Sequence, residues 1–454
     1  MKSKYLNLYI LFFIIFSVFI ASFFVSVGSY EYDEENKPIM GTYGPVEKEP
    51  LKIQDVLTSP INGMIGIENK KEHNISYKNS GNMVGSISLI ILVLSIGAYM
   101  QVMEKTKVLT TFISNNINGI GRNFHKGVFL VMLFFTIGAT THGMYETTIG
   151  FAPLIILMYD KLKIRRIEVL FLMLLPLATG HIGGTINPFA TGIASNLLGI
   201  SIMDGIIPRI LLLVILFVTS LMIVIIRTKK YEITSIKTVK KVPFNKIILY
   251  IFLVPFIIMI YTFIPGSPLK LDFITVSIVF IICGFIIGFI AKLSFDSIID
   301  QLFKGINNFF VVAFSIGFAR GIYVLLYNTY LSDTLINKTI EIFADKQLII
   351  VIIILMSMFL ILTLLIPSTS ALAFITMPII GTAIIMMGIN PELVVTIYQS
   401  MVGVLKFIAP TSPLVIALLT MTGISYNVWF KETYRYVFLY SGIIFIVLVF
   451  FYGG

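Results

Sequence analysis

The sequence predicts an all-α polytopic membrane protein of two inverted-topology repeats, with nine transmembrane spans, two re-entrant hairpins and two broken helices. Three observations predict it. Of 454 residues, 57% are hydrophobic and 12% charged, about half the charged share of a soluble domain, and uncharged runs of about 20 residues, enough to cross a bilayer, recur throughout. Helix-breaking prolines recur at one offset: Pro153 and Pro188 are 35 residues apart, Pro378 and Pro413 are 35 apart, and the two pairs are separated by 225. A polar knot precedes each pair, Thr140-Thr141-His142-Gly143 in one half and Pro367-Ser368-Thr369-Ser370 in the other. Interrupted apolar segments at matching places in two halves point to a transporter's binding site.

The elements follow in order. Tyr5 to Tyr30 carries no charge and follows Lys2 and Lys4. It exceeds the roughly 7–15-residue core of a signal peptide, so residues 1–30 are read as an uncleaved first span with a cytoplasmic N-terminus. Residues 31–82 are polar and acid-rich (Glu31, Asp33, Glu34, Glu35) and form a large external loop; its one apolar stretch, Leu57 to Ile67, is expected to lie at the membrane interface. The remainder of repeat 1 is 83–226, opening with a span from Met83 to Met103 that ends inside at Lys105 and Lys107.

The apolar segment 127–159 is flanked by Arg122 and Lys126 before it and by Lys161, Lys163, Arg165 and Arg166 after it. Positive charge on both flanks places both on the cytoplasmic side, making the segment a hairpin; two full spans need more than its length. Its middle holds Gly138, Thr140, Thr141, Gly143, Thr147, Thr148 and Gly150, where glycine frees the backbone and threonine hydroxyls satisfy exposed backbone groups. Next come a span, 167–200, broken near Gly183–Pro188, an outward loop at Asp204, and a return over 207–226. Residues 227–272 hold the densest basic run, read as a cytoplasmic loop, and a linking span. Repeat 2, 273–454, has spans at 273–291 and 306–327, a charge-free hairpin at 347–390, a broken span at 393–420 and a last span at 436–451.

Several function classes fall away. The single cysteine, Cys283, rules out an intrachain disulfide, a cysteine zinc cluster and a dithiol redox pair. The net charge of +10 reads as membrane topology and not as a nucleic-acid footprint. No His-Glu-x-x-His, no paired intramembrane aspartates and no Gly-x-x-x-x-Gly-Lys-Ser/Thr loop is present, which disfavours an intramembrane enzyme and direct ATP drive.

A broken helix exposes N–H groups at one new end and C=O groups at the other, a partial positive and a partial negative pole. Lipid cannot satisfy them, so such ends survive only buried in protein or lining a cavity. Two tips and two broken spans supply both poles twice, which suits a zwitterion, or an anion with a coupling cation. Thr140, Thr141, Asn187, Pro188, Ser368, Thr369, Ser370, Thr411 and Ser412 are the candidate substrate ligands, although hydroxyls at such places also serve as plain helix caps. Five ionisable groups fall at membrane depth, where they are costly and usually functional. Glu146, in the first tip, is a candidate to recognise a cationic substrate, carry a proton or form an internal ion pair. Lys406 can pair with Glu146, hold a substrate carboxylate or stand in for a coupling cation. Arg320 either serves the pathway or snorkels to the outer surface. His142 and His181 are candidate proton relays or neutral hydrogen-bonded residues.

Four segments carry a resemblance: Thr140-Thr141-His142-Gly143-Met144-Tyr145-Glu146-Thr147-Thr148, Gly184-Thr185-Ile186-Asn187-Pro188-Phe189-Ala190-Thr191-Gly192, Ile366-Pro367-Ser368-Thr369-Ser370, and Tyr398-Gln399-Ser400 with Pro410-Thr411-Ser412. They resemble the YfcC family, grouped with the DcuC-type four-carbon dicarboxylate carriers in the ion transporter superfamily. The resemblance implies paired hairpins, a homodimer, elevator-type alternating access and a place in a bacterial inner or plasma membrane. Family members are described as basic amino acid antiporters, including arginine/ornithine exchangers. The expectation is therefore a secondary antiporter exchanging arginine for ornithine, with Glu146 facing the side-chain cation; the alternative is a carrier of succinate- or fumarate-type dicarboxylates. No cofactor or metal is expected, with Na+ or H+ as candidate coupling ions. Thr147 where the family has a second acid, His142 and His181 at its apolar positions, and Lys406 at a small polar one favour exchange without a coupling cation.

Overall fold

Apolar residues dominate every long segment, and in lipid such a chain must close its backbone hydrogen bonds within helices. The computed structural model describes residues 6–34, 37–47, 49–69, 72–118, 124–229, 231, 242–263, 268–269 and 271–453. The first half contains α1 (Leu6–Phe24), α2 (Ile53–Ile65), α3 (Ile87–Lys105), α4 (Val108–Asn118), α5 (Phe124–His142), α6 (Ala152–Lys161), α7 (Arg166–Ile182), α8 (Ile193–Leu197), α9 (Ile206–Thr228) and α10 (Lys246–Phe263). The second contains α11 (Phe273–Ile290), α12 (Phe295–Asn328), α13 (Leu331–Phe343), α14 (Leu348–Leu365), α15 (Thr369–Thr376), α16 (Thr382–Met386), α17 (Pro391–Lys406), α18 (Pro413–Thr422) and α19 (Tyr426–Tyr452). Among the described residues, eight helical stretches are long and apolar enough to cross a membrane, and Leu8–Phe24, Lys246–Met259 and Pro413–Thr422 are shorter apolar helices. The topological reading from Lys2, Lys4, Arg122 and the basic run 232–241 lies outside the described residues.

Both expected hairpins have a structural counterpart. The Phe124 ring at the start of α5 is 6.5 Å from Tyr159 near the end of α6, and Phe135 and Phe151 are 6.0 Å apart nearer the tip. The chain thus leaves and returns on one side. In the second half α14 and α17 run alongside each other, with Phe359 5.6 Å from Tyr398, and both end at the central cavity. The segment between them, α15, a π-helical turn at Met377–Gly381 and α16, therefore runs back.

The helices fall into two packed sets. One is built on α12, which touches α1, α2 and α3, while α3 also packs on α11. Small residues let these backbones approach closely: a Cβ on Gly305 would lie 2.3 Å from the Gly97 carbonyl oxygen, and one on Gly63 2.1 Å from that of Gly317. The other set holds α5, α7, α9, α14, α17, α18 and α19. Arg227 joins three of its helices: its guanidinium lies 2.7 Å from Glu168 and 2.8 Å from Glu432, over the Phe171 ring at 3.8 Å. The sequence reading missed this network.

Two elements extend beyond the stretches read from the sequence. The apolar stretch 57–67 does not stand as a separate segment. It forms most of α2, which buries Ser59, Asn62 and Gly63 against α12 and turns Ile53, Leu57, Ile61 and Ile65 outward. In a bilayer the small and polar face packs inward and the apolar face meets lipid. Nor does the span expected at 306–327 begin there. α12 starts at Phe295, its first turn capped by the Ser294 hydroxyl, and runs 34 residues, about 51 Å at 1.5 Å per residue.

The loop between α1 and α3 folds into a cap. β1 (Gly28–Ser29) pairs with β2 (Gly44–Pro45), and β3 (Ile67–Asn69) pairs with β4 (Asn74–Ser76) and β5 (Asn82–Met83). Asp333 of α13 anchors it, accepting from the Tyr30 N–H at 3.1 Å, the Ser29 hydroxyl at 3.0 Å and the Tyr32 hydroxyl at 2.7 Å. Burial, with Asp333 beside it, pushes the Tyr30 phenol up to about 12. His73 stacks between Tyr327 and Tyr330, centroids 4.1 Å away on both sides, and burial holds it below its ordinary 6.5.

Candidate functional site

The local sequence breaks the helices where the two halves meet. α5 ends at His142, and Gly143 turns the chain at φ +64; a Cβ there would also meet the Phe189 ring at 2.7 Å. Glycine serves both the turn and the close approach. A 3₁₀ turn over Glu146–Phe151 leads into α6. α7 ends at Ile182, and the chain restarts as a π-helical turn at Pro188–Gly192, where the Asn187 side chain accepts from the Phe189 N–H at 2.9 Å. In the second half Pro367 stops α14, and the Ser368 hydroxyl caps α15 by accepting from the Ala371 N–H at 3.4 Å. α17 ends at Lys406, and α18 restarts at Pro413.

The carbonyl ends of both broken helices are capped by side chains. At the end of α7, Gln399 Nε2 donates to the His181 carbonyl at 2.8 Å, Ser400 to Ile182 at 3.4 Å and Thr140 to Gly183 at 2.9 Å. Beyond α17, the Tyr145 hydroxyl donates to the Lys406 carbonyl, Trp429 Nε1 to Phe407 at 2.9 Å and the Tyr426 hydroxyl to Ile408 at 3.1 Å. The Ser370 hydroxyl reaches the Phe189 carbonyl at 3.0 Å, and Tyr398 reaches that of Thr369 at 2.7 Å. Each half thus contributes to the carbonyl end in the other, Gln399 and Ser400 to α7 and Tyr145 to α17, alongside caps from the same half.

The N-terminal ends of α15 and α18 border a cavity of about 120 Å³, which Met100 of α3 and Phe309 of α12 also line. Of the residues singled out in the sequence, His181, Asn187, Ser368, Thr369, Ser370, Lys406, Thr411 and Ser412 line it. The Lys406 ammonium sits over the Tyr145 ring, 4.6 Å from its centroid. Four buried polar atoms of this wall, His181 Nε2 and the hydroxyls of Thr369, Thr411 and Ser412, have no hydrogen-bond partner among the described residues. Buried polar groups are rarely left so, and leaving each unmade costs roughly 1–3 kcal/mol. Among the described side chains lining the cavity there is no Asp or Glu.

The other candidates stand elsewhere. Thr140 lies behind the wall, bonded to Gly183 and to the Thr185 N–H at 3.0 Å. Thr141 returns its hydroxyl to the Ile137 carbonyl at 2.6 Å, and Pro188 is buried at the start of its π turn. Arg320 lies over the Tyr323 ring at 4.6 Å and does not line the cavity. The His142 and Glu146 side chains lie outside the described residues; their backbones end α5 and begin the 3₁₀ turn. The sequence reading missed Tyr145, Gln399 and Met100 as site-building residues. Tyr145 and Gln399 sit inside the quoted motifs, but nothing local shows that they cap a helix in the other half.

Known proteins share both the sequence pattern and this fold. Residues 6–452 match the family model described as DcuC: C4-dicarboxylate anaerobic carrier. An uncharacterized protein of Haemophilus influenzae is 26% identical over 423 residues, 87% of this chain and 78% of that protein. An Escherichia coli protein named "Putative basic amino acid antiporter YfcC" is 22% identical over 380 residues, 78% of this chain and 75% of its own. The YdaH transporter of Alcanivorax borkumensis has the same fold at a TM-score of 0.66 and 12% identity, over 99% of this chain and 97% of that one. MtrF of Neisseria gonorrhoeae, reported within a class of antimetabolite efflux pumps, superposes at a TM-score of 0.59 with 13% identity, over 100% and 94%.

Proposed function

The chain belongs to the DcuC family and is a membrane transporter, and from that premise we propose that it carries small dicarboxylates, four-carbon compounds of the succinate type first among them, by elevator-type alternating access. One observation carries the substrate reading. The carbonyl poles of both broken helices are already occupied by side chains, whereas Thr369, Thr411 and Ser412, at the N-terminal ends of α15 and α18, border the cavity with buried hydroxyls that have no partner among the described residues. What remains on offer is donor chemistry and partial positive charge, which suits carboxylates. Lys406 adds a cation to the same wall. The elevator is supported by the position of the cavity between the α12-based set and the set carrying both hairpins. Homodimer formation, a bacterial inner membrane and an inside N-terminus belong to the same proposal.

Basic amino acid exchange is the second reading. It is favoured by Glu146, which follows the cavity residue Tyr145, and by the name of the E. coli relative. Against it, a substrate cation about 5 Å from the Lys406 ammonium meets roughly 3 kcal/mol of repulsion at an effective dielectric constant of 20, which Glu146 would have to offset. Proteoliposomes separate the two. Succinate uptake into succinate-loaded vesicles that falls with K406Q and survives E146Q supports the dicarboxylate reading. Arginine uptake that needs internal ornithine and falls with E146Q overturns it. Uptake that requires external sodium would remove the exchange-only expectation in either case.

A further inference from the structure

His181 is 2% exposed, in the last turn of α7, and its ring is fixed at both ends of the residue. Gln399 holds its carbonyl at 2.8 Å. On the ring side a chain of donors sets the tautomer. The Phe189 N–H can only donate, so the Asn187 atom facing it at 2.9 Å is the amide oxygen. The other end of that amide is therefore the NH₂ group. It donates to the Ala139 carbonyl at 3.4 Å and faces His181 Nδ1 at 3.5 Å. An NH₂ group offers only hydrogens, so Nδ1 must present its lone pair, and in a neutral imidazole the proton then sits on Nε2. Nε2 is buried and has no partner among the described residues, and His181 is one of the residues that line the cavity.

We propose that His181, fixed as the Nε2–H tautomer by Asn187, is the neutral donor that recognises a substrate carboxylate, with Asn187 as its positioning residue. The inference rests on the carboxylate reading above and adds the residue that does the reading. An ordinary core histidine would have both nitrogens paired; here Nδ1 faces an amide and Nε2 has no partner among the described residues, in a side chain that borders the cavity. A fixed N–H also excludes a bare cation from that corner, so Na+ is not held at His181. A second proton would have to enter at Nδ1, where the amide already points its hydrogens. His181 in this arrangement is a donor and not a proton shuttle. A neutral donor also suits a transporter, because it binds an anion without making release depend on a second buried charge.

The test uses the purified full-length protein in detergent, with radiolabelled succinate and arginine as probes. Glutamine places an N–H close to where Nε2 stands, and leucine fills the space without a donor. The expected result is succinate binding by H181Q within about threefold of wild type and a loss of roughly 10- to 100-fold in H181L, the range of a hydrogen bond to a charged group. N187D reverses the chain of donors, since a carboxylate at that position draws a proton to Nδ1, and should weaken succinate binding in the same way. The ¹⁵N shifts of histidine-labelled protein give a readout independent of binding. The resonance lost in H181Q, one of four histidines, should report an Nε2–H tautomer at neutral pH. An Nδ1–H tautomer, or H181L binding succinate like wild type, overturns the assignment and leaves the dicarboxylate reading standing. Wild type that binds arginine and not succinate overturns that reading instead. The variants are then scored on arginine, whose own carboxylate must show the same H181Q and H181L pattern or the His181 inference fails as well.

Discussion

Replacing Gly184 by alanine tests whether the cross-half caps hold the site together. A Cβ on Gly184 would lie 1.5 Å from Gln399 Nε2, and ordinary contact begins at 3.4 Å, so the amide must retreat by 3.4 − 1.5 = 1.9 Å. That breaks its 2.8 Å bond to the His181 carbonyl and leaves a buried carbonyl unpaired, a cost of roughly 1–3 kcal/mol. The loss is offset by about 0.4–1 kcal/mol, because alanine has less unfolded-state entropy to lose than glycine, and Gly184 is not among the positive-φ glycines. The net expectation is about 1–2 kcal/mol of destabilisation. Trp429, the single tryptophan, reports unfolding by fluorescence: it is fully buried, bonded to the Phe407 carbonyl and 4.9 Å from the Phe171 ring. The decisive form is a double-mutant cycle in detergent with G184A, Q399A and both. If the damage runs through Gln399, the double variant is no less stable than Q399A alone. Effects that add to within about 0.3–0.5 kcal/mol would mean that the two positions act independently, refuting the reasoning.

Other outcomes follow from the same physics. G63A should destabilise more than G184A in the same assay, because its Cβ would meet the Gly317 and Gly321 backbone at 2.1 and 2.4 Å rather than a movable side chain. R227M should cost up to about 3–5 kcal/mol by leaving the buried Glu168 carboxylate with only the half-exposed Arg165 at 3.3 Å, and adding E168L should recover much of that loss in the fluorescence unfolding curve. His73 binds fewer protons in the folded cap than in the unfolded chain, since burial lowers its pKa and outweighs the opposing pull of Asp333 and Glu68. Cap stability is therefore fully present above pH 6.5 and falls as the pH drops below it; hydrogen exchange over residues 72–83 should speed up on acidification in wild type and much less in H73Q. T369A and S412A should each weaken succinate binding about two- to tenfold, as expected for one neutral hydrogen bond, with unfolding midpoints little changed.

How much of this was legible in the sequence depends on the range over which each feature is decided. The breaks at Gly183–Pro188 and Pro367–Ser370 were legible because lipid tolerates no loose backbone. Glycine, proline and hydroxyl residues clustered inside an apolar run therefore mark a helix end that protein or a cavity must cover. Half of the cavity-lining candidates, Asn187, Ser368, Thr369 and Ser370, came from those segments. The face α2 would bury was not legible. Its outward residues Ile53, Leu57, Ile61 and Ile65 recur every fourth position, and periodicity alone cannot say whether such a stripe meets protein or lipid. The anchoring of the cap was hidden for another reason, since Ser29 and Asp333 are 304 residues apart.

The same distance limit governs the sign of the ligand. A broken helix announces two poles through its own sequence, but which pole stays open is set by side chains from elsewhere. Gln399 reaches the His181 carbonyl across 218 residues, and Tyr145 reaches the Lys406 carbonyl across 261. Read alone, the two breaks suit a zwitterion, or an anion with a coupling cation, the positive charge at the carbonyl ends and the carboxylate at the amide ends. Once the carbonyl ends are occupied, only the second half of that pairing survives. The histidines, at first an argument about protons, then acquire a different proposed role at position 181, where the Asn187 amide faces Nδ1 and Nε2 has no partner among the described residues. The carboxylate-reading site proposed here in place of a cation-reading one therefore rests on side-chain caps that no local pattern could have revealed.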